Sequence, residues 1–186
     1  MKGDLMMSGP YHNLSDPKLL EECLFNIAAG DRNAFETLYN MTHGGVYAFA
    51  LSVVKNGHDA QDVMHDTYLK IHSAAPFYRA NGTPMAWILT ITKNLALSLL
   101  RQRQKTADIA PEEWDDHIPA VEDTDREERI SLTEALKGLT EEERQIVVLH
   151  AVSDLKHRQI AQLLDLPLPT VLSKYRRALK KLEHNL

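Results

Sequence analysis

Residues 157–182 read HRQIAQLLDLPLPTVLSKYRRALKKL, and this stretch decides the architecture. Stepping about 100° per residue from Val171 gathers Val171, Tyr175, Ala178 and Leu182 into a narrow apolar arc, which Leu172 and Leu179 widen on one side. Thr170, Ser173, Lys174, Arg177, Lys180 and Lys181 fall on the opposite side, and Arg176 adds a further cation. His157 to Leu164 reads as a short helix and Asp165 to Leu168 as a tight turn. Pro169 suits the first position of the next helix, where a missing N–H costs nothing. A short helix, a turn, and a second helix with one apolar and one cationic face make a DNA-reading helix-turn-helix. Cations meet phosphates, and short polar groups meet base edges. The plainer reading, a solvated basic face on an ordinary surface helix, does not account for the adjoining turn.

The same period governs the chain on either side, so the expected fold class is all-α. Thr140-Glu-Glu-Glu143 has the capping-box form and should start a helix reaching about Val152. This block runs over residues 127–186. An earlier block, residues 15–105, should hold four helices. Ser15-Asp16-Pro17 starts the first and Gly30 ends it; Asp31 caps the second. Asn56-Gly57 breaks the chain before a helix from Asp59 to about Ala74. Pro76 to Thr83 is loop, and Pro84 opens a helix to about Arg103. Asn81-Gly82 precedes Pro84 and a helical pattern, so it marks a loop and no hairpin. Between the blocks, residues 106–126 show no apolar period. Pro111, Pro119 and clustered acids mark a flexible linker with Trp114 as its one large apolar residue.

The chain's 186 residues suit one or two small domains and leave little room for a third. Thr37 to Val54 contains no Asp, Glu, Lys or Arg. Asn40, His43, Gly44, Gly45 and Ser52 make it too polar for a membrane span, so it is expected as buried helix. No signal-like apolar run is seen at the N-terminus, and no membrane insertion is expected. The single cysteine, Cys23, lies in an apolar helical pattern and reads as a small buried hydrophobe in a reducing, cytoplasmic setting.

Charge is distributed in blocks. Residues 1–40 carry 3 basic and 6 acidic side chains, and residues 41–105 carry 7 and 3. Residues 106–143 carry 3 and 14, and residues 144–186 carry 8 and 3. Two basic blocks around an acidic one suggest two polyanion-binding modules on one string.

Two helices of the first block carry patterned polar faces. In HDAQDVMHDTYLKIH (58–72), Asp59, Asp62, Asp66 and Lys70 form one stripe flanked by Val63 and Leu69, while Ala60, Met64, Thr67, Tyr68 and Ile71 form a core face. Aligned carboxylates with apolar neighbours suit docking to a basic partner helix. A solvated face is the bland alternative. A metal site around His58, Asp62, His65, Asp66 and His72 is the remote one, because no second His-rich segment exists to complete it. In the helix from Pro84, Trp87, Thr90, Asn94, Ser98 and Arg101 share a face opposite Ile88, Ile91, Leu95 and Leu99, with Arg103 and Lys105 extending its positive end. An aromatic, an amide, hydroxyls and cations can contact unstacked bases and phosphates of single-stranded DNA. Core packing accounts for Trp87 equally well.

With these segments in hand, the chain resembles the extracytoplasmic-function (ECF) sigma factors of bacterial RNA polymerase. Ile160-Ala161, Leu164, Pro167, Thr170-Val171, Ser173 and Arg177-Ala178 resemble region 4. Ala86-Trp87-Ile88, Ile91, Asn94 and Arg101 resemble regions 2.3 and 2.4. The helix after Gly57 resembles region 2.2, and Gly30-Asp31 with Ala34-Phe35 and Leu38-Tyr39 resembles region 2.1. Pro169 and Leu172 depart from the family pattern, and Ser98 stands where the family often has Asp.

The resemblance implies a protein that binds core polymerase and directs promoter-specific initiation. Residues 15–105 would be region 2, and residues 127–186 region 4. Asp59, Asp62, Val63, Asp66 and Leu69 would grip the clamp helices of the polymerase largest subunit. Trp87, Thr90, Asn94, Ser98, Arg101 and Arg103 would hold the melted −10 element, with a flipped base captured by the Phe77–Thr83 loop. Thr170, Ser173, Lys174, Arg176, Arg177 and Lys181 would read the −35 duplex. Promoter DNA, core polymerase and an anti-sigma factor are the implied partners, and no cofactor or metal is implied. An enzyme is disfavoured: there is no Gly-rich phosphate loop, nucleophile elbow or Cys/His metal spacing. A helix-turn-helix regulator without sigma activity is the other alternative. It leaves the acidic stripe and the Trp87–Arg101 face unexplained.

Overall fold

A computed structural model describes residues 16–106 and 136–185. Among them are seven helices: α1 (Pro17–Ala28), α2 (Arg32–Val54), α3 (Gly57–Ala74), α4 (Pro84–Thr106), α5 (Glu141–Ala151), α6 (His157–Leu164) and α7 (Leu168–Asn185). The acidic linker beyond Thr106, Trp114 and the start of the last block at Glu127 lie outside the described residues.

Most helix starts follow from side-chain caps. Asp16 and Asp31 accept hydrogen bonds from backbone N–H groups of the first turns of α1 and α2. Asn56 does the same for α3, accepting from Asp59 N at 3.0 Å. Thus Asn56-Gly57 begins the third helix, two residues earlier than the sequence suggests. Thr140 and Glu143 form the reciprocal capping box of α5. Pro169 is the second residue of α7 instead of the first. That N–H is also one of the unpaired first-turn donors, so proline still costs nothing there. Two further boundaries moved: α4 continues to Thr106, and Ala75–Phe77 forms a turn of 3₁₀-helix within the expected loop.

The charge-free run of α2 is the centre of the molecule. Leu38, Val46, Phe49, Ala50 and Val54 are fully buried, with α1, α3, α4 and α5 all packed on this one helix. Cys23 is also buried there, as a small apolar residue. Each fully buried Leu, Phe or Val side chain contributes about 1.5–3 kcal/mol relative to exposure. Buried polar groups are tied: Thr42 donates to Leu38 O and lies 2.7 Å from the Tyr68 hydroxyl.

The two blocks share a continuous core, in which Ile146, Leu149 and Ile160 join the residues of α1–α4. Lys93 of α4 donates to the carbonyl of Leu163 at 2.7 Å, placing a cation at the C-terminal end of α6, where the helix dipole favours it. Lys55 pairs with Glu141 at 3.0 Å. Backbone packing is tight at Gly45: a Cβ there would lie 3.1 Å from both Ser153 Oγ and Met85 Cε, whereas one at Gly44 meets nothing within 4 Å.

Gly45→Leu should therefore overpack this seam and lower unfolding stability by about 1–3 kcal/mol. Gly44→Leu, one residue away, should be neutral or stabilising because it replaces a helical glycine in open space. Urea unfolding followed by circular dichroism distinguishes the two; equal effects would show that the Gly45 seam is not tight.

Candidate nucleic-acid interface

On α3, a solvent-facing side carries Asp62, His65, Asp66 and Lys70, and Leu69 is 58% exposed among them. Two residues expected on that side are elsewhere. Val63 is buried in the core. Asp59 is buried against the last turns of α4, where its Oδ1 lies 2.6 Å from Arg103 Nη2. Asp59 and Asp62 are three positions apart, only about 60° around the helix, so it is the packing of α4 on the first turn of α3 that sets them apart. The expected stripe is thus split between a solvent face and an intramolecular ion pair. No group of three metal-ligating side chains occurs among the described residues.

On α4, Thr90, Asn94, Ser98 and Arg101 are exposed in one line, with Trp87 half-buried at its start. Trp87 meets Tyr78 edge to face, with ring centroids 5.1 Å apart. Arg103 is drawn off this line by Asp59 and closes α4 onto α3. Across a cavity of about 230 Å³, Ala86, Trp87 and Thr90 face Gln159, Gln162 and Leu163 of α6.

On α7, Val171 and Ala178 are fully buried and Tyr175 and Leu182 half-buried, the arc expected from the wheel. Ser173, Arg176, Arg177 and Lys180 are exposed, and Thr170 is half-buried. Lys174 and Lys181 behave differently from these. They sit seven residues apart on the border of the apolar arc, facing the acidic first turn of α5. Lys174 pairs with Glu142 at 2.5 Å and Lys181 with Glu143 at 2.6 Å. Burial raises the Glu143 carboxyl pKa, but hydrogen bonds from Lys181 and Thr140 outweigh it and hold the group below the usual carboxylate value. Leu172, 36% exposed, is an apolar point on the outer surface.

The joint of the last three helices is an aromatic cluster. His150, His157 and Tyr175 have ring centroids 4.4, 5.0 and 4.7 Å apart. Burial, and secondly the neighbouring His150, lower the pKa of His157, which favours a neutral ring. Arg144 is buried and donates to the carbonyls of Leu136 and Leu139, pinning the entry to α5. Sequence reasoning missed these supports, because each joins residues on different elements. Only the acidic start of α5 facing a lysine pair at heptad spacing carries a trace of the α5–α7 contact in the sequence.

Residues 38–106 match the family model of sigma-70 region 2, and residues 129–182 that of sigma-70 region 4. The ECF RNA polymerase sigma factor SigM of Mycobacterium tuberculosis is 31% identical, over 94% of this chain and 86% of its own. SigK of Mycobacterium ulcerans is 29% identical, over 96% and 97%. Two solved structures share the fold at 22% identity. CnrH, bound to the cytosolic domain of CnrY, has a TM-score of 0.61 over 89% of this chain and 96% of its own. The sigma factor RpoE of Bartonella quintana, bound to the anti-sigma factor NepR, has 0.66 over 81% and 95%.

Lys181→Ala should act on stability before it acts on DNA. A carboxyl with a lowered folded pKa stabilises the fold above its ordinary value of 4.5, and that contribution is lost as pH falls through the folded value. The variant should therefore melt at a lower temperature than the parent near neutrality, with the gap closing below the carboxylate range. An unchanged melting temperature near neutrality, with weaker DNA binding, would return Lys181 to the DNA face.

Proposed function

The chain belongs to the extracytoplasmic-function sigma factors of RNA polymerase, which direct transcription initiation, and on that premise we propose how its surfaces divide the work. Residues 15–105 dock on core polymerase and hold the melted −10 strand. Residues 127–186 read the −35 duplex, and residues 106–126 join them. The docking face is the exposed part of α3, Asp62, Asp66 and Leu69, against the clamp helices of the largest subunit. The single-strand face is Trp87, Thr90, Asn94, Ser98 and Arg101. The duplex face is Thr170, Ser173, Arg176 and Arg177, with Lys180 beside them, while Lys174 and Lys181 serve mainly to hold α7 to α5. The observation that carries this division is the contrast between an acidic exposed face on α3, a polar line on α4 and a cationic face on α7. An anti-sigma factor is a proposed partner, by analogy with the NepR-bound relative. The proposed setting is the cytoplasm; among the described residues no helix is long and apolar enough to cross a membrane.

Elements centred about 25 base pairs apart lie about 85 Å apart along a duplex at 3.4 Å per step. With α6 against α4, the two DNA faces cannot span that length. Reading both elements at once requires the Lys93–Leu163 and Lys55–Glu141 contacts to part. The 20 residues from 107 to 126 can reach at most about 70 Å, so the domains themselves supply the rest of the span.

Purified chain added to core RNA polymerase should give promoter-dependent transcripts, which a regulator lacking sigma activity would not. Asp62→Lys with Asp66→Lys should weaken core capture about tenfold or more while leaving helix content unchanged; full capture would rule that face out as the dock. Arg177→Ala should weaken −35 duplex binding and reduce the salt slope by about one. An unaltered slope would move the DNA face away from Arg177.

A further inference from the structure

The loop between α3 and α4 is shaped by a residue of α1 that lies far away in sequence. Glu21 Oε1 accepts three hydrogen bonds: from the Tyr78 hydroxyl at 2.8 Å, Asn81 N at 3.2 Å and Gly82 N at 3.0 Å. Gly82 adopts φ +72°, a left-handed conformation that favours glycine. Asn81 Oδ1 then accepts from Thr83 N at 3.0 Å and Thr83 Oγ1 at 2.7 Å, which carries the ordered loop to the start of α4. Tyr78 is buried between Phe25 and Trp87, with ring centroids at 6.1 and 5.1 Å. One carboxylate oxygen therefore fixes the loop backbone and, through Tyr78, backs the Trp87 ring.

We propose that Glu21 is a positioning residue for the −10 contact, holding the Tyr78–Thr83 loop and Trp87 in the geometry that receives an unstacked strand, without touching DNA itself. The proposal rests on the assignment of the α4 line as the single-strand face. A carboxylate beside such a face opposes phosphate binding by its charge. Three donors turned onto one oxygen direct that charge into the loop, and hydrogen bonds to an ionised acceptor are about twice as strong as neutral ones. A surface glutamate serving only solubility needs no such convergence. The Tyr78 hydroxyl, whose pKa is raised by burial and by Glu21, remains a donor across the working pH range.

The test uses holoenzyme assembled from the full chain and core polymerase. The probe is a promoter fragment selected from a random-sequence pool by the wild-type holoenzyme and left unpaired over its −10 segment. Glu21→Leu should lower affinity for this probe about tenfold, with core capture and binding to a −35-only duplex unchanged. Glu21→Gln keeps an acceptor oxygen and should stay within about threefold of wild type. Wild-type affinity in Glu21→Leu overturns the proposal, and so does an equal loss on the −35-only duplex, which would indicate general damage. If Glu21→Leu loses helix content, Tyr78→Phe decides: it keeps the ring and should lose about threefold on the unpaired probe, and no loss overturns the proposal. Trp87→Ala and Asn94→Ala separate the two levels. If they lose affinity while Glu21→Leu does not, only the positioning role fails. If they bind as wild type, the α4 assignment itself fails.

Discussion

The burial of α2 sets everything else. Its run from Thr37 to Val54 offers water no charged group, so the helix is stable only when surrounded. Four helices meet that demand, three from the first block and α5 from the second. Because α2 is apolar over most of its circumference, α1, α3 and α4 each need only one apolar stripe and are left with an outer face to spend on binding. Gly45 extends the same logic to the second block: removing a side chain from α2 at one point lets Ser153 and Met85 close on the backbone.

Electrostatics then sorts the polar residues into those that hold the fold and those that face outward. Asp59 with Arg103, Glu142 with Lys174, and Glu143 with Lys181 each join two helices. Exposed pairs of this kind contribute little individually, but Asp59 and Glu143 are buried, and losing a partner there strands a charge. What remains outward on α3 is acidic and on α7 basic. That contrast is the physical basis for assigning one surface to a protein partner and the other to DNA. The same sorting places Glu21 with the fold-holding groups, although it lies next to the proposed single-strand face.

The arrangement of the two blocks has a mechanical consequence. Their contact is built from one apolar seam, a lysine on a helix end and a partly exposed ion pair. Such a contact orders the halves relative to one another, and its polar parts can be replaced by water when the halves separate. The start of the proposed −10 line, Trp87 and Thr90, borders the cavity shared with α6, so the packing of the two blocks bears directly on that surface.

The sequence by itself determined the all-helical class, most helix starts, the buried nature of α2 and the existence of a helix-turn-helix. These follow from local rules: caps act within three residues, and apolar arcs repeat every three or four. It also marked the polar lines on α3, α4 and α7, because a face that never enters a core keeps its period. Only the tertiary structure decided which members of those lines were outward. Asp59 and Arg103 lie 44 residues apart and Lys181 and Glu143 lie 38 apart, and no local pattern records that they neutralise one another. The Glu21 contacts span 57 to 61 residues for the same reason. A helical wheel gives the direction of a side chain from its own axis; whether that direction ends in water or in an opposite charge depends on where another helix has been packed.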